Sequence, residues 1–144
     1  GWNTSSVVTL SRAFQAVPIN PDVAGWTTGN VQNFTETFKN SDLNRDLGAW
    51  DISSVTTMLG FIERCDSMSY EGDGNTSTTN VENTLVGFKS QADSTPLIEN
   101  INLGIEPDKT MLSTNGQNAV TYLCNTLSWN ITGRFNSSNR YSIC

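Results

Sequence analysis

Gly1–Phe14 reads GWNTSSVVTLSRAF, Gly25–Phe38 reads GWTTGNVQNFTETF, and Ala49–Ile62 reads AWDISSVTTMLGFI. Trp2, Trp26 and Trp50 are 24 residues apart, and the same step carries Val7 to Val31 to Val55. It also carries Leu10 to Phe34 to Met58, Phe14 to Phe38 to Ile62, Ile19 to Leu43, and Val23 to Leu47. Self-similarity at a fixed period marks a repeat architecture. One such unit cannot bury its own apolar side, but stacked copies bring Trp onto Trp, Val onto Val and Phe onto Phe. Within the third unit, Leu47, Trp50 and Ile52 follow the L-x-x-L-x-L rhythm of a short strand with inward side chains. Val55 and Met58 then turn the corner, and Leu59 to Arg64 are expected to form one or two helical turns.

After Ile62 the repeat fails, so that residues 1–65 hold the three coils. Residues 66–79 form a polar loop by composition, and residues 80–144 read as a capping segment of the same domain. Thr79 to Glu82 fits a capping box, and Val81, Leu85 and Phe88 follow at helical spacing. Ile98, Ile101, Leu103 and Ile105 suggest a strand between Pro96 and Pro107. Thr114 to Gln117 is a second capping box, opening a helix that carries Val120, Leu123, Cys124 and Leu127. Trp129 and Ile131 form one more apolar stretch before a polar tail. The expected fold is α/β: a short right-handed leucine-rich-repeat solenoid of three 24-residue coils with short parallel strands, closed by a C-terminal helix-strand-helix cap.

These units resemble the BspA-like leucine-rich repeats of bacterial surface proteins and lipoproteins. The family pattern runs W-D-x-S-x-V-T-x-M-x-x-x-F, and DLGAWDISSVTTM (Asp46 to Met58) is very close to it. STTNVENTLVGF (Ser77 to Phe88), INLG (Ile101 to Gly104) and LSWNITG (Leu127 to Gly133) are similar, in order, to the family's terminal segment. The resemblance implies a non-enzymatic extracellular module for adhesion or recognition, with a protein or glycan on another surface as partner.

Composition bounds the chemistry. The 144 residues carry a net charge of −6 and no histidine. Ser-His and Cys-His catalysis and histidine-ligated metals are therefore excluded. Eight scattered basic residues offer no footprint for nucleic acid, and no apolar run approaches the roughly 18–20 residues of a membrane span. No signal-peptide pattern opens the chain, as expected of either a processed protein or an excised fragment. Asn, Ser and Thr supply 51 positions, and at the corners their side chains can bond neighbouring coils. With low charge and three cysteines, this abundance points to an extracellular or cell-surface location. No enzymatic activity, cofactor or metal is expected: Asp51 falls in register with Asn3 and Thr27, so no second acid faces it, and Glu71 to Asn75 lacks EF-hand spacing.

Four kinds of site remain. The outward positions Asn3, Thr27 and Asp51 form a candidate ligand-contact ladder on the strand face. Nothing in this sequence covers the first coil, so Trp2, Val7, Leu10 and Phe14 are expected to lie open. Either further repeats precede that end, or it docks on another molecule or assembles head-to-tail with copies of itself into a filament or layer. Cys124 and Cys144 are expected to pair and pin the tail, with pairing of Cys65 to Cys144 as the rival. Five N-x-S/T sequons occur, at Asn3, Asn33, Asn75, Asn130 and Asn136. Asn75 and Asn136 lie in the most loop-like segments.

Overall fold

The computed structural model describes residues 1–68, 78–94, 99–105, 112–136 and 139–144. Three 24-residue units lie against one another, joined by parallel bridges from Thr9 to Asn33 and from Asn33 to Thr57. The backbone closes this stack through every second amide. The N–H groups of Leu10, Arg12, Phe14 and Ala16 donate to the carbonyls of Asn33, Thr35, Thr37 and Lys39 at 2.8–2.9 Å. Phe34, Glu36, Phe38 and Asn40 repeat the pattern onto Thr57, Leu59, Phe61 and Glu63.

The intervening amides bond within their own unit, as Ala13 does to Leu10, Gln15 to Arg12 and Val17 to Phe14. These are successive tight turns. Arg12 and Ala16 stand at their third positions with φ of 58° and 57°, the left-handed conformation that a type II turn demands there. Glu36, Gly60, Asn40 and Arg64 repeat it in the later units. Leu59 to Arg64 is therefore a pair of turns and not the helical segment expected. The bridged rungs also lie at Thr9, Asn33 and Thr57, whereas Leu47 to Ile52 is turn and irregular chain. The apolar rhythm of that stretch is core packing around a corner, which a strand and a corner satisfy equally.

The core follows the repeat. Trp26 is stacked between Trp2 and Trp50, with ring centroids 5.9 Å away on each side. Phe14 stacks on Phe38 at 5.4 Å. Val31, Phe34, Phe38, Leu43, Leu47, Trp50 and Phe61 are almost wholly buried.

Beyond the third unit come α1 (Thr78–Ser94), β1 (Asn102–Gly104), α2 (Thr114–Leu127), β2 (Asn130–Asn136) and β3 (Asn139–Ser142). The bridge ladder does not stop at the third unit. Met58 bridges Leu103 in parallel, β1 pairs in parallel with β2, and β3 pairs antiparallel with β2. The last two strands were not expected, because the polar tail carries little apolar alternation. With them, the expected helix-strand-helix segment ends in an antiparallel strand pair.

Helix α1 supplies polar groups to the third unit. Thr84 Oγ1 accepts the Leu47 N–H at 2.9 Å, and Gln91 accepts from Ile52 while donating to the Gly48 and Trp50 carbonyls. Glu82, expected to close a local capping box, instead accepts from Ser113 N–H at 3.0 Å and from the Ser113 hydroxyl. Ser113 is the N-cap of α2, one residue earlier than expected.

The helix reaches the stack this closely because Gly87 rests directly on Gly48. A Cβ at Gly87 would fall inside the contact radius of the Gly48 carbonyl oxygen and Cα. Gly87→Ala is therefore expected to lower unfolding stability by about 2 kcal/mol, as overpacking does, in urea denaturation. Ala16→Gly is expected to act oppositely. It relieves a left-handed alanine and gains about 0.5 kcal/mol after the entropic cost of glycine, read by the same experiment.

Candidate recognition surfaces

The ladder has two sides. Its central column, Leu10, Phe34, Met58, Leu103 and Ile131, is buried. The flanking residues face out because strand neighbours alternate. One outward column runs Thr9, Asn33, Thr57, Asn102, Asn130, and the other runs Ser11, Thr35, Leu59 and Thr132, interrupted by the buried Gly104. None of these residues is charged. Val8, Gln32 and Thr56, which border the first column, are exposed and uncharged too.

Several side-chain oxygens on this face are consumed internally. Thr9 Oγ1 accepts the Ser11 N–H at 3.2 Å, and Asn33 Oδ1 accepts the Thr35 N–H at 2.8 Å. Asn102 Oδ1 accepts from Asn130 Nδ2 at 3.0 Å, and the hydroxyls of Thr35 and Thr57 meet at 3.2 Å. Val8 and Leu59, 52% and 53% exposed, add apolar surface. The apolar rhythm points to Leu47 to Ile52 as the strand, several residues before the rung at Thr57 and Met58, and so does not reveal this face. The available signal was the polar-apolar-polar triplet Thr9-Leu10-Ser11, Asn33-Phe34-Thr35.

Asn3, Thr27 and Asp51 are all exposed, one per unit, but at a corner and not on the ladder. Asn3 Oδ1 accepts the Ser5 N–H and Asp51 Oδ1 the Ser53 N–H, so both oxygens brace turns. Bonds from the Ser53 hydroxyl and then its backbone N–H hold the Asp51 carboxyl below its ordinary pKa, against a smaller opposing effect of burial. Asp51 and Ser53 border an open cleft of about 440 Å³ between the third unit and Ser90 and Gln91 of α1.

At the outer side of the first unit, the four expected exposed residues divide. Trp2 is 72% exposed and Val7 half-buried, but Leu10 and Phe14 are only 9% and 7% exposed. Inward side chains meet the second unit as well as their own turn: Phe14 lies against Trp2, Trp26 and Phe38. An apolar cleft of about 450 Å³ opens there between Trp2, Phe14, Trp26, Ile19 and Pro21, with Asp22 at its border.

Beside the ladder, Glu36 binds Arg12 and Lys39 at 2.8 Å each, and Lys39 reaches Glu63 at 3.4 Å. This cluster compensates its own charge. Cys124 and Cys144 form a disulfide with Cα atoms 5.8 Å apart. Cys65 is buried with its thiol toward the Phe38 carbonyl, so the rival pairing is not made. Among the sequons, Asn33 and Asn130 lie on the ladder face and Asn3 at the corner. Asn75 and the Asn136 side chain lie outside what is described. Among the described residues no three His, Cys, Asp or Glu gather as a metal site, and no helix is long and apolar enough to cross a membrane.

The chain belongs to the DUF285 family, described as Mycoplasma protein of unknown function, whose model matches residues 1–100. Searches of curated proteins and of solved structures returned no match.

The Lys39 bond, then the Arg12 bond, lowers the Glu36 pKa from its ordinary 4.5. A carboxylate depressed in the folded state stabilises fully above its unfolded value, and that contribution disappears as the pH falls through the folded one. Glu36→Gln is expected to flatten the loss of thermal stability below pH 4.5 relative to the parent chain, in melting curves at stepped pH.

Proposed function

We propose that the chain is a short leucine-rich-repeat solenoid of the BspA-like kind, with α1 to β3 as its cap. It acts at the cell exterior as a non-enzymatic recognition or adhesion module. The observation that carries this reading is the ladder face, an uncharged surface spanning three repeats and two cap strands in a chain of net charge −6. Repeat stacks form extended binding surfaces of this kind. The lack of histidine supports the non-enzymatic reading, because it removes the commonest general base.

The test is attachment of beads carrying the chain to host-cell monolayers and to surfaces coated with matrix protein. Thr35→Lys, which places an ammonium in the middle of the face, is expected to reduce attachment about tenfold, a loss of roughly 1.4 kcal/mol. Its melting temperature should stay within a few degrees. Attachment indifferent to Thr35→Lys refutes recognition through this face.

A second reading is a structural subunit that assembles head-to-tail. It is favoured by exposed Trp2 and by the carbonyls of Thr9, Ser11, Ala13 and Gln15, which accept no hydrogen bond among the described residues. On this reading light scattering finds a mass many times 15.7 kDa, and Trp2→Asp returns it to the monomer value. A monomeric parent chain refutes it.

A further inference from the structure

We infer that the ligand of the ladder face is a neutral, extended polysaccharide, an inference that rests on the recognition reading above. Charge is the first argument. The face carries no ionic side chain, and the net charge of −6 repels acidic glycans and nucleic acids while leaving a neutral chain unaffected.

The second argument is the sense of the remaining hydrogen-bonding groups. Asn33 and Asn102 each use the amide oxygen internally, while neither amide nitrogen has a partner among the described residues. The face thus offers N–H donors at Asn33 and Asn102 beside the amide oxygen of Asn130, a mixed set that the ring oxygens and hydroxyls of a sugar meet. Third, Val8 and Leu59 set exposed apolar surface beside these donors. A pyranose presents the matching combination of C–H faces and hydroxyl rims.

Spacing agrees. Adjacent rungs of a sheet are about 4.7–4.9 Å apart, close to the advance per pyranose of an extended chain, so successive sugars meet successive rungs. A protein partner would instead call for aromatic or arginine anchors seated in pockets, and the outward columns contain neither.

The experiment is native-gel retardation of the full chain, produced without N-glycosylation, in gels containing hydroxyethylcellulose, soluble β-glucan or galactomannan. Hyaluronan and heparin gels are the acidic controls. Asn33→Asp is the decisive variant. It keeps a side-chain oxygen for the Thr35 N–H and replaces the outward donor by an acceptor. The expected result is retardation by at least one neutral polysaccharide, none by the acidic ones, and at least tenfold weaker binding by Asn33→Asp with unchanged melting.

The inference is overturned if no neutral polysaccharide retards the folded chain, or if Asn33→Asp binds as well as the parent. The bead assay separates this failure from that of the broader reading. Loss of attachment in Thr35→Lys without polysaccharide binding leaves recognition standing with a different ligand, whereas attachment indifferent to that change removes both.

Discussion

The amide pattern that joins one unit to the next governs the rest of the structure. Every second N–H between Leu10 and Ala16 must find a carbonyl one unit further along, and the amides between them must close turns within their own unit. Both demands are met only if the chain returns to the same place after 24 residues. That is why the spacing of Trp2, Trp26 and Trp50 is strict while their neighbours vary. The same pattern imposes left-handed backbone at Arg12, Glu36 and Gly60 and again at Ala16, Asn40 and Arg64. Only one of these six is glycine. The remaining five tolerate roughly 1 kcal/mol of strain each, which the inter-unit bonds and the buried aromatic stacks offset.

A stack of this kind needs a different last element, because a further coil would repeat the open edge. The elements after the third unit meet this in two ways. Along the ladder, β1 continues the parallel register from Met58, β2 extends it, and β3 reverses direction at the outer edge. At the opposite corner, Gln91 and Thr84 of α1 bond peptide groups of the third unit. Unit-to-unit bonds show the same substitution. Thr4 and Thr28 use buried hydroxyls to reach the next unit, whereas the corresponding residue of the third unit is Ile52, packed beneath a helix. The Cys124–Cys144 disulfide ties the end of the chain beyond β3 to α2, for about 3 kcal/mol in the chain-entropy picture.

The periodic part of this architecture was legible because burial writes itself into sequence at fixed positions. Trp50, Phe34 and Phe38 recur where the core needs them, and the helical spacing of Val81, Leu85 and Phe88 marked α1. Direction and conformation were not legible. An inward residue on a corner and one on a strand leave the same apolar mark, so the rungs were placed at Leu47 to Ile52 and the outward residues at Asn3, Thr27 and Asp51. The turns at Leu59 to Arg64 leave little mark because the left-handed positions of the units hold arginine, alanine, glutamate and asparagine, so that Gly60 is a single glycine with no counterpart one unit earlier. Strand β3 lacked a signal for another reason: it is a short edge strand, held by pairing and by the nearby disulfide.

The surface chemistry follows from the same turn bonding that holds the stack. A turn braced by Asn uses the side-chain oxygen on the backbone two residues on, which leaves the amide nitrogen turned outward. Asn33 does this on the ladder, and Asn102 reaches the same state through its bond from Asn130. Threonine at the equivalent position, as at Thr9, spends its oxygen on Ser11 and leaves its hydroxyl proton available. Aspartate would brace the turn as well, as Asp51 does at the corner, but would present a charge in place of a donor. Turn stability is therefore indifferent between Asn and Asp, and the outward character of the face is not. The uncharged columns are a property that folding alone does not require, and that is the support they lend to the proposed recognition role.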